Sequence, residues 1–124
     1  MITVPLSEDL CDFDLRDYSV PAYKELRGYM YILRDDIFPE YIKVGRTSDV
    51  KRRLQGYNSD KPYPTARMMY ISKLFDNVNE VERKVLQYLY DNTSPTTLSR
   101  EWFEFKHIDK IKNIIEKAEN DYRN

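Results

Sequence analysis

Cysteine and histidine are almost missing from this sequence: Cys11 and His107 are the single examples of each in 124 residues. One thiol excludes an internal disulfide, and one thiol with one imidazole cannot build a structural zinc site. Glycine is scarce at 3 residues and proline is no more than ordinary at 6, which excludes a collagen-like chain and low-complexity disorder, and no repeat marks a solenoid. No apolar run approaches the ~20 residues that span a bilayer. The opening residues Met1, Ile2, Thr3, Val4 and Pro5 lack the basic and apolar regions of a signal peptide. These absences together predict an intracellular, cytoplasmic protein with no structural metal and no membrane contact.

What is present fits one compact domain. The chain is 41% hydrophobic and 33% charged, and at this length it buries roughly two thirds of the surface its unfolded form exposes. Tyrosine occurs 11 times against 5 Phe and 1 Trp, so apolar bodies here often carry a hydroxyl, either for packing with a wet tip or for a nucleic-acid surface. The formal net charge of -1 hides an asymmetry. Residues 1–23 carry Glu8, Asp9, Asp12, Asp14 and Asp17 against Arg16, five acids to one base, or -4. Residues 43–73 carry eight basic side chains against Asp49 and Asp60, or +6. A basic segment between acidic ones suits an anionic partner, and a solvated basic face is the plainer alternative.

Patterning sorts the chain into elements. Residues 1–27 read as an acidic arm with one short helical turn around 7–15. Residues 29–33 are β-favouring and end at the turn formers Asp35, Asp36 and Pro39. Residues 41–44 follow and stop at Gly45, completing a hairpin. Alternation puts Met30 and Ile32 on one face and Tyr31 on the other, and Lys43 joins Tyr31 if Ile42 and Val44 face the core. Ser48 is the expected N-cap of a helix whose stripe is Val50, Leu54 and Tyr57. Arg53 and Tyr57 are neighbours on that helix at i, i+4, and Gly56 weakens its last turn. A third strand is expected over 68–75. Asn77 caps a second helix with Val78, Val81, Val85, Leu86 and Leu89 on its apolar face and Glu82 at the edge. After a loop over 93–99, a strand at 102–105 precedes a final helix over 108–122 that buries Ile111, Ile114, Ile115 and Ala118. The predicted fold class is α+β, a small, mainly antiparallel sheet flanked by helices, in the order β-β-α-β-α-β-α.

Three groups of residues, Gly28-Tyr29-Met30-Tyr31-Ile32-Leu33, Lys43-Val44-Gly45-Arg46-Thr47 and then Arg53, resemble the motifs of the GIY-YIG nuclease superfamily. The resemblance is to its phage-associated branch, where the second motif reads Lys-Ile-Gly-Arg-Thr. Glu101-Trp102-Phe103 also resembles that branch. The likeness covers about residues 28–105, a nuclease-like domain, with 106–124 as a helix packed on it. It implies a DNA endonuclease using one Mg²⁺ or Mn²⁺ ion, from a phage or mobile element. Tyr31 matches the tyrosine placed by the scissile phosphate to help deprotonate water. Lys43 stands where the second motif usually has tyrosine, and beside Tyr31 it would lower the phenol's pKa or hold a phosphate oxygen. Arg53 matches the arginine that binds the phosphate in the transition state, and Tyr57 a position that orients water or phosphate. Glu82 matches the acid that anchors the metal, and Leu86 stands where the branch often has histidine.

Arg46, Lys51, Arg52, Lys61 and Arg67 are the expected contacts to the DNA backbone, which neutralising cations bind. Sequence specificity is left to loops at 58–67 and 91–100 or to an assembly such as a homodimer. The departures at Lys43 and Leu86 keep open an alternative, a catalytically weak or inactive DNA-binding module on the same fold. The acidic arm is either a solubilising terminus or an internal DNA mimic lying over the basic surface.

Overall fold

The computed structural model describes residues 2–3, 26–92 and 101–123. The elements are β1 (Ile2–Thr3), β2 (Tyr29–Asp35), β3 (Tyr41–Thr47), α1 (Val50–Asn58), β4 (Ala66–Ile71), α2 (Val78–Asn92), β5 (Trp102–Glu104) and α3 (Ile108–Arg123), with a 3₁₀ turn at Phe105–His107 before α3. They form one sheet in the order β1-β4-β2-β3-β5, and every neighbouring pair is antiparallel. From residue 28 onward the succession is the predicted one. β1 is additional and pairs Ile2 with Ile71 at the sheet edge. The rest of the predicted arm, with its helical turn, Cys11 and DNA-mimic role, lies outside the described residues, as does the loop over 93–100. No helix among the described residues is long and apolar enough to cross a membrane.

Several boundaries move for physical reasons. The hairpin register sets Tyr29 opposite Thr47 and Tyr31 opposite Gly45, so β3 runs through Gly45 instead of stopping there. The α1 N-cap is Asp49, not Ser48: its carboxylate accepts the Arg52 amide at 3.1 Å, an acceptor that charge strengthens. Asn77 caps α2 as expected, its Oδ1 accepting the Glu80 amide at 3.2 Å. β4 begins at Ala66 and ends at Ile71, and Phe75 makes only an isolated bridge to Gly28.

Both faces of the sheet are covered. Met30, Ile32, Ile42 and Val44 pack with Val81, Val85 and Leu89 of α2 and with Ile111 and Ile115 of α3. Tyr29, Tyr31 and Leu33 pack with Val50 and Leu54 of α1. Tyr31 and Lys43 do share a face, but α1 closes it, and Tyr31 is only 2% exposed. A register shift opposite Ile32 and Leu33 inserts one extra residue into β4. Met69 and Tyr70 therefore both enter the α2–α3 layer, as a bulge allows. Ile114 and Ala118 are partly buried there rather than fully so.

Tyr70 ties α3 to the sheet. Its hydroxyl donates to Glu119 Oε1 at 2.9 Å, and both residues are buried. Burial, and then the Glu119 carboxylate, push the Tyr70 phenol well above its ordinary value. The folded chain holds this proton more tightly than the unfolded chain does. The stabilisation is therefore intact below the unfolded tyrosine value of about 10 and is lost as pH rises beyond it. Melting temperature is expected to fall above about pH 10, with a shallower fall in Tyr70→Phe. Thermal melts from pH 8 to 11 check this, and equal slopes would refute it.

Candidate functional site

The cross-strand pair of Tyr31 and Gly45 is the centre of the site. The tyrosine ring lies over the glycine so closely that a Cβ there would sit 2.6 Å from the phenol oxygen. The glycine backbone has an ordinary negative φ, so space rather than conformation demands it. Tyr57 reaches in from α1, its hydroxyl 3.2 Å from that of Tyr31. Lys43 lies two residues before Gly45 on the same face. Its ammonium is 4.9 Å from the Tyr57 ring centre and 3.3 Å from Glu101 Oε2.

The other layer contributes a second wall. Glu82 follows the buried Val81 on α2, and its side chain is 18% exposed. Arg46, one residue on from Gly45 and so pointing to the opposite face of β3, sets its Nε 3.2 Å from Glu82 Oε1. Arg53 is exposed on α1 and completes the rim. A cavity of about 150 Å³ thus opens at Gly45, framed by Tyr31, Lys43, Arg46, Arg53, Glu82 and Glu101. A wider cleft of about 600 Å³ adjoins it and shares Lys43 and Arg53.

Protonation states follow from these neighbours. Burial foremost, then the Tyr57 hydroxyl, raise the Tyr31 phenol far above its ordinary value, and Arg53 opposes them more weakly. The expected lowering of the phenol's pKa is corrected: burial outweighs the nearby cationic charge, and Tyr31 keeps its proton at neutral pH. Burial disfavours the Lys43 charge, but Tyr57 and Glu101 stabilise the ammonium and leave its pKa raised. Burial also raises the Glu82 carboxyl; Arg46 pulls it down and Glu101 pushes it up again. Lys43 is therefore a full cation, not a base.

The structure brings together Tyr31, Lys43, Arg53, Tyr57, Glu82 and Arg46, and it separates the remaining basic residues. Arg52 lines the wider cleft, while Lys51 is exposed on α1 outside both cavities. Lys61 is ion-paired with Asp35, and Arg67 with Asp36 at 3.2 Å. Both are held at the β2–β3 turn, so the +6 segment is not one continuous basic face. Leu86, where the resemblance led to a histidine, packs against the core. Glu101 is the residue that motif matching left without a role. β5 pairs Trp102 with Lys43, which sets the preceding glutamate beside the ammonium.

Among the described residues no group of three His, Cys, Asp or Glu side chains gathers around one point. The donor set at the cavity is carboxylate oxygen from Glu82 and Glu101. That fits a hard cation such as Mg²⁺, which keeps several waters and takes other oxygens from a substrate. A family model described as the T5orf172 domain matches residues 28–119, taking in most of α3. No curated protein and no solved structure matches the chain.

Proposed function

We propose, from the premise that this chain belongs to the T5orf172 domain family, that it is a divalent-metal-dependent endonuclease of GIY-YIG type acting on DNA phosphodiester bonds. The T5orf172 domain is phage-associated and occurs in nuclease contexts. The observation that carries the finer reading is the convergence of Tyr31, Lys43, Arg53 and Glu82 on one cavity of about 150 Å³. A water takes about 30 Å³ of that space, which leaves room for a phosphodiester beside it.

Each residue then has a task set by its surroundings. Arg53 offers a permanently charged planar fork to two non-bridging oxygens, and its grip strengthens as negative charge builds in the transition state. Lys43, fixed by Glu101 and Tyr57, is a second electrostatic anchor. Tyr31 keeps its proton, so it orients the attacking water through its hydroxyl, with Tyr57 steadying that hydroxyl. The water oxygen bonds to phosphorus and gives up a proton to solvent, the ester P–O bond breaks, and a proton from solvent reaches the leaving oxygen. Glu82, with Glu101 near it, would hold the cation, which when bound supplies Lewis-acid stabilisation of the leaving oxygen. Arg46 sits on Glu82 Oε1 and would turn to a neighbouring phosphate as the carboxylate takes that ion.

With Tyr31 protonated and Lys43 charged, neither residue at the two motif positions is a ready base for the water. This favours the second reading, a catalytically weak or inactive DNA-binding module. Plasmid nicking in Mg²⁺, Mn²⁺ or EDTA separates the two. Metal-dependent nicking is expected from the wild type and background nicking from Glu82→Ala, whose DNA affinity stays at or above wild type because Arg46 is released. Salt-sensitive DNA binding without nicking by the wild type would establish the binding module. A protein that does neither would defeat both readings.

A further inference from the structure

The wider cleft holds a glycine that the fold does not require. Gly56 lies in the last turn of α1, where glycine's backbone freedom weakens a helix relative to almost any other residue. Its φ is not positive, and nothing lies within 4 Å of where its Cβ would be. Gly45 is explained by the tyrosine ring above it; Gly56 has no such neighbour. What it does have is a place on the wall of the cleft, where the missing side chain opens space beside the helix end and the Gly56 carbonyl accepts the Ser59 hydroxyl at 3.0 Å.

The chemistry around that space is cationic. Lys43, Arg52 and Arg53 line the cleft against one acid, Asp49, whose carboxylate is already committed to the Arg52 amide as the helix cap. The volume of about 600 Å³ lies in the range of small-ligand sites. Lys43 and Arg53 belong to both cavities, so a chain with phosphate in the smaller one leads directly into the larger. Tyr57 also lines the cleft, with the Lys43 ammonium over its ring at 4.9 Å from the centre, so a stacking base would compete with that cation.

We propose that the wider cleft seats the nucleotide adjoining the reacting phosphate, with its sugar in the space left at Gly56 and its phosphate on Arg52. This rests on the nuclease reading and adds a subsite to it. Recognition there is of backbone, so the position tolerates any base.

The test uses the full chain, a fluorescein-labelled duplex oligonucleotide and EDTA, with affinity read by anisotropy beside thermal melts. Gly56→Leu is expected to keep or raise the melting temperature, since leucine favours helix and meets open space, yet to weaken binding by about tenfold or more. Gly56→Ala should show a smaller loss in the same direction. Arg52→Ala should weaken binding and reduce the slope of log affinity against log salt by about one. Wild-type affinity in a folded Gly56→Leu protein overturns the subsite and leaves the nuclease reading standing. A lowered melting temperature in Gly56→Ala shows that the glycine serves the fold, and it overturns the subsite as well. A wild-type protein that binds no duplex defeats the nuclease reading itself, and the subsite with it.

Discussion

Replacing Arg53 by alanine is expected to slow phosphodiester cleavage by about a thousandfold, while duplex affinity falls only a few-fold. The reason lies in how the three cations of the cavity are engaged. Lys43 holds Glu101 and Arg46 holds Glu82, whereas Arg53 makes no ion pair among the described residues. Its guanidinium is thus the donor that a substrate meets without first breaking a contact. Its position on a helix, one turn from Tyr57, fixes the base of the side chain and reduces the reorganisation needed as charge develops. Arg53→Lys keeps the charge but loses the fork, and it should recover no more than about a tenth of the lost rate. Single-turnover cleavage at saturating protein reads the chemical step. A rate for Arg53→Ala within a few-fold of wild type would transfer the role to Lys43.

The second large effect is on the fold and site together. Gly45→Ala would drive a methyl carbon to 2.6 Å from the Tyr31 oxygen and 2.7 Å from Cζ of its ring. Tyr31 is packed between the sheet and α1, so it cannot swing away freely. Overpacking of this kind costs about 1–3 kcal/mol, and the displaced phenol loses its contact with Tyr57. The variant should melt earlier and cleave below a hundredth of the wild-type rate, about the loss from a misplaced reacting group. A Tyr31→Ala partner isolates the cause. In the double variant the alanine at 45 should cost little beyond Tyr31→Ala alone, giving a coupling of about 1 kcal/mol or more. Additive losses by denaturant unfolding would mean that Gly45 serves something other than the tyrosine.

Much of this site was legible in the chain. Period-two and period-3.6 patterns gave the strands and helices from residue 28 onward, and alternation correctly placed Tyr31 and Lys43 on one face. What escaped was tertiary. The Val50–Leu54 stripe says that α1 is amphipathic, but not that it covers the very face carrying Tyr31, so the tyrosine's burial and its retained proton were out of reach. Lys61 and Arg67 count as free positive charge in a sequence; Asp35 and Asp36 take them up only once the β2–β3 turn exists. The strand after Glu101 is legible from 102 on, but only its pairing with β3 gives the acid a neighbour. Ser48 and Asp49 are both good caps in isolation, and helix geometry chose the second.

The sheet is a partition. α1, with the wider cleft and Arg53, is built on one side of it, while α2, with Glu82, is built on the other from a separate set of apolar residues. The two walls meet at the cavity by Gly45. Mutations that reshape the α1 wall therefore leave the packing beneath Glu82 untouched, and the reverse holds too. Under the proposed function, substitutions in the anion-facing wall and substitutions at the acid thus act in separate packing layers.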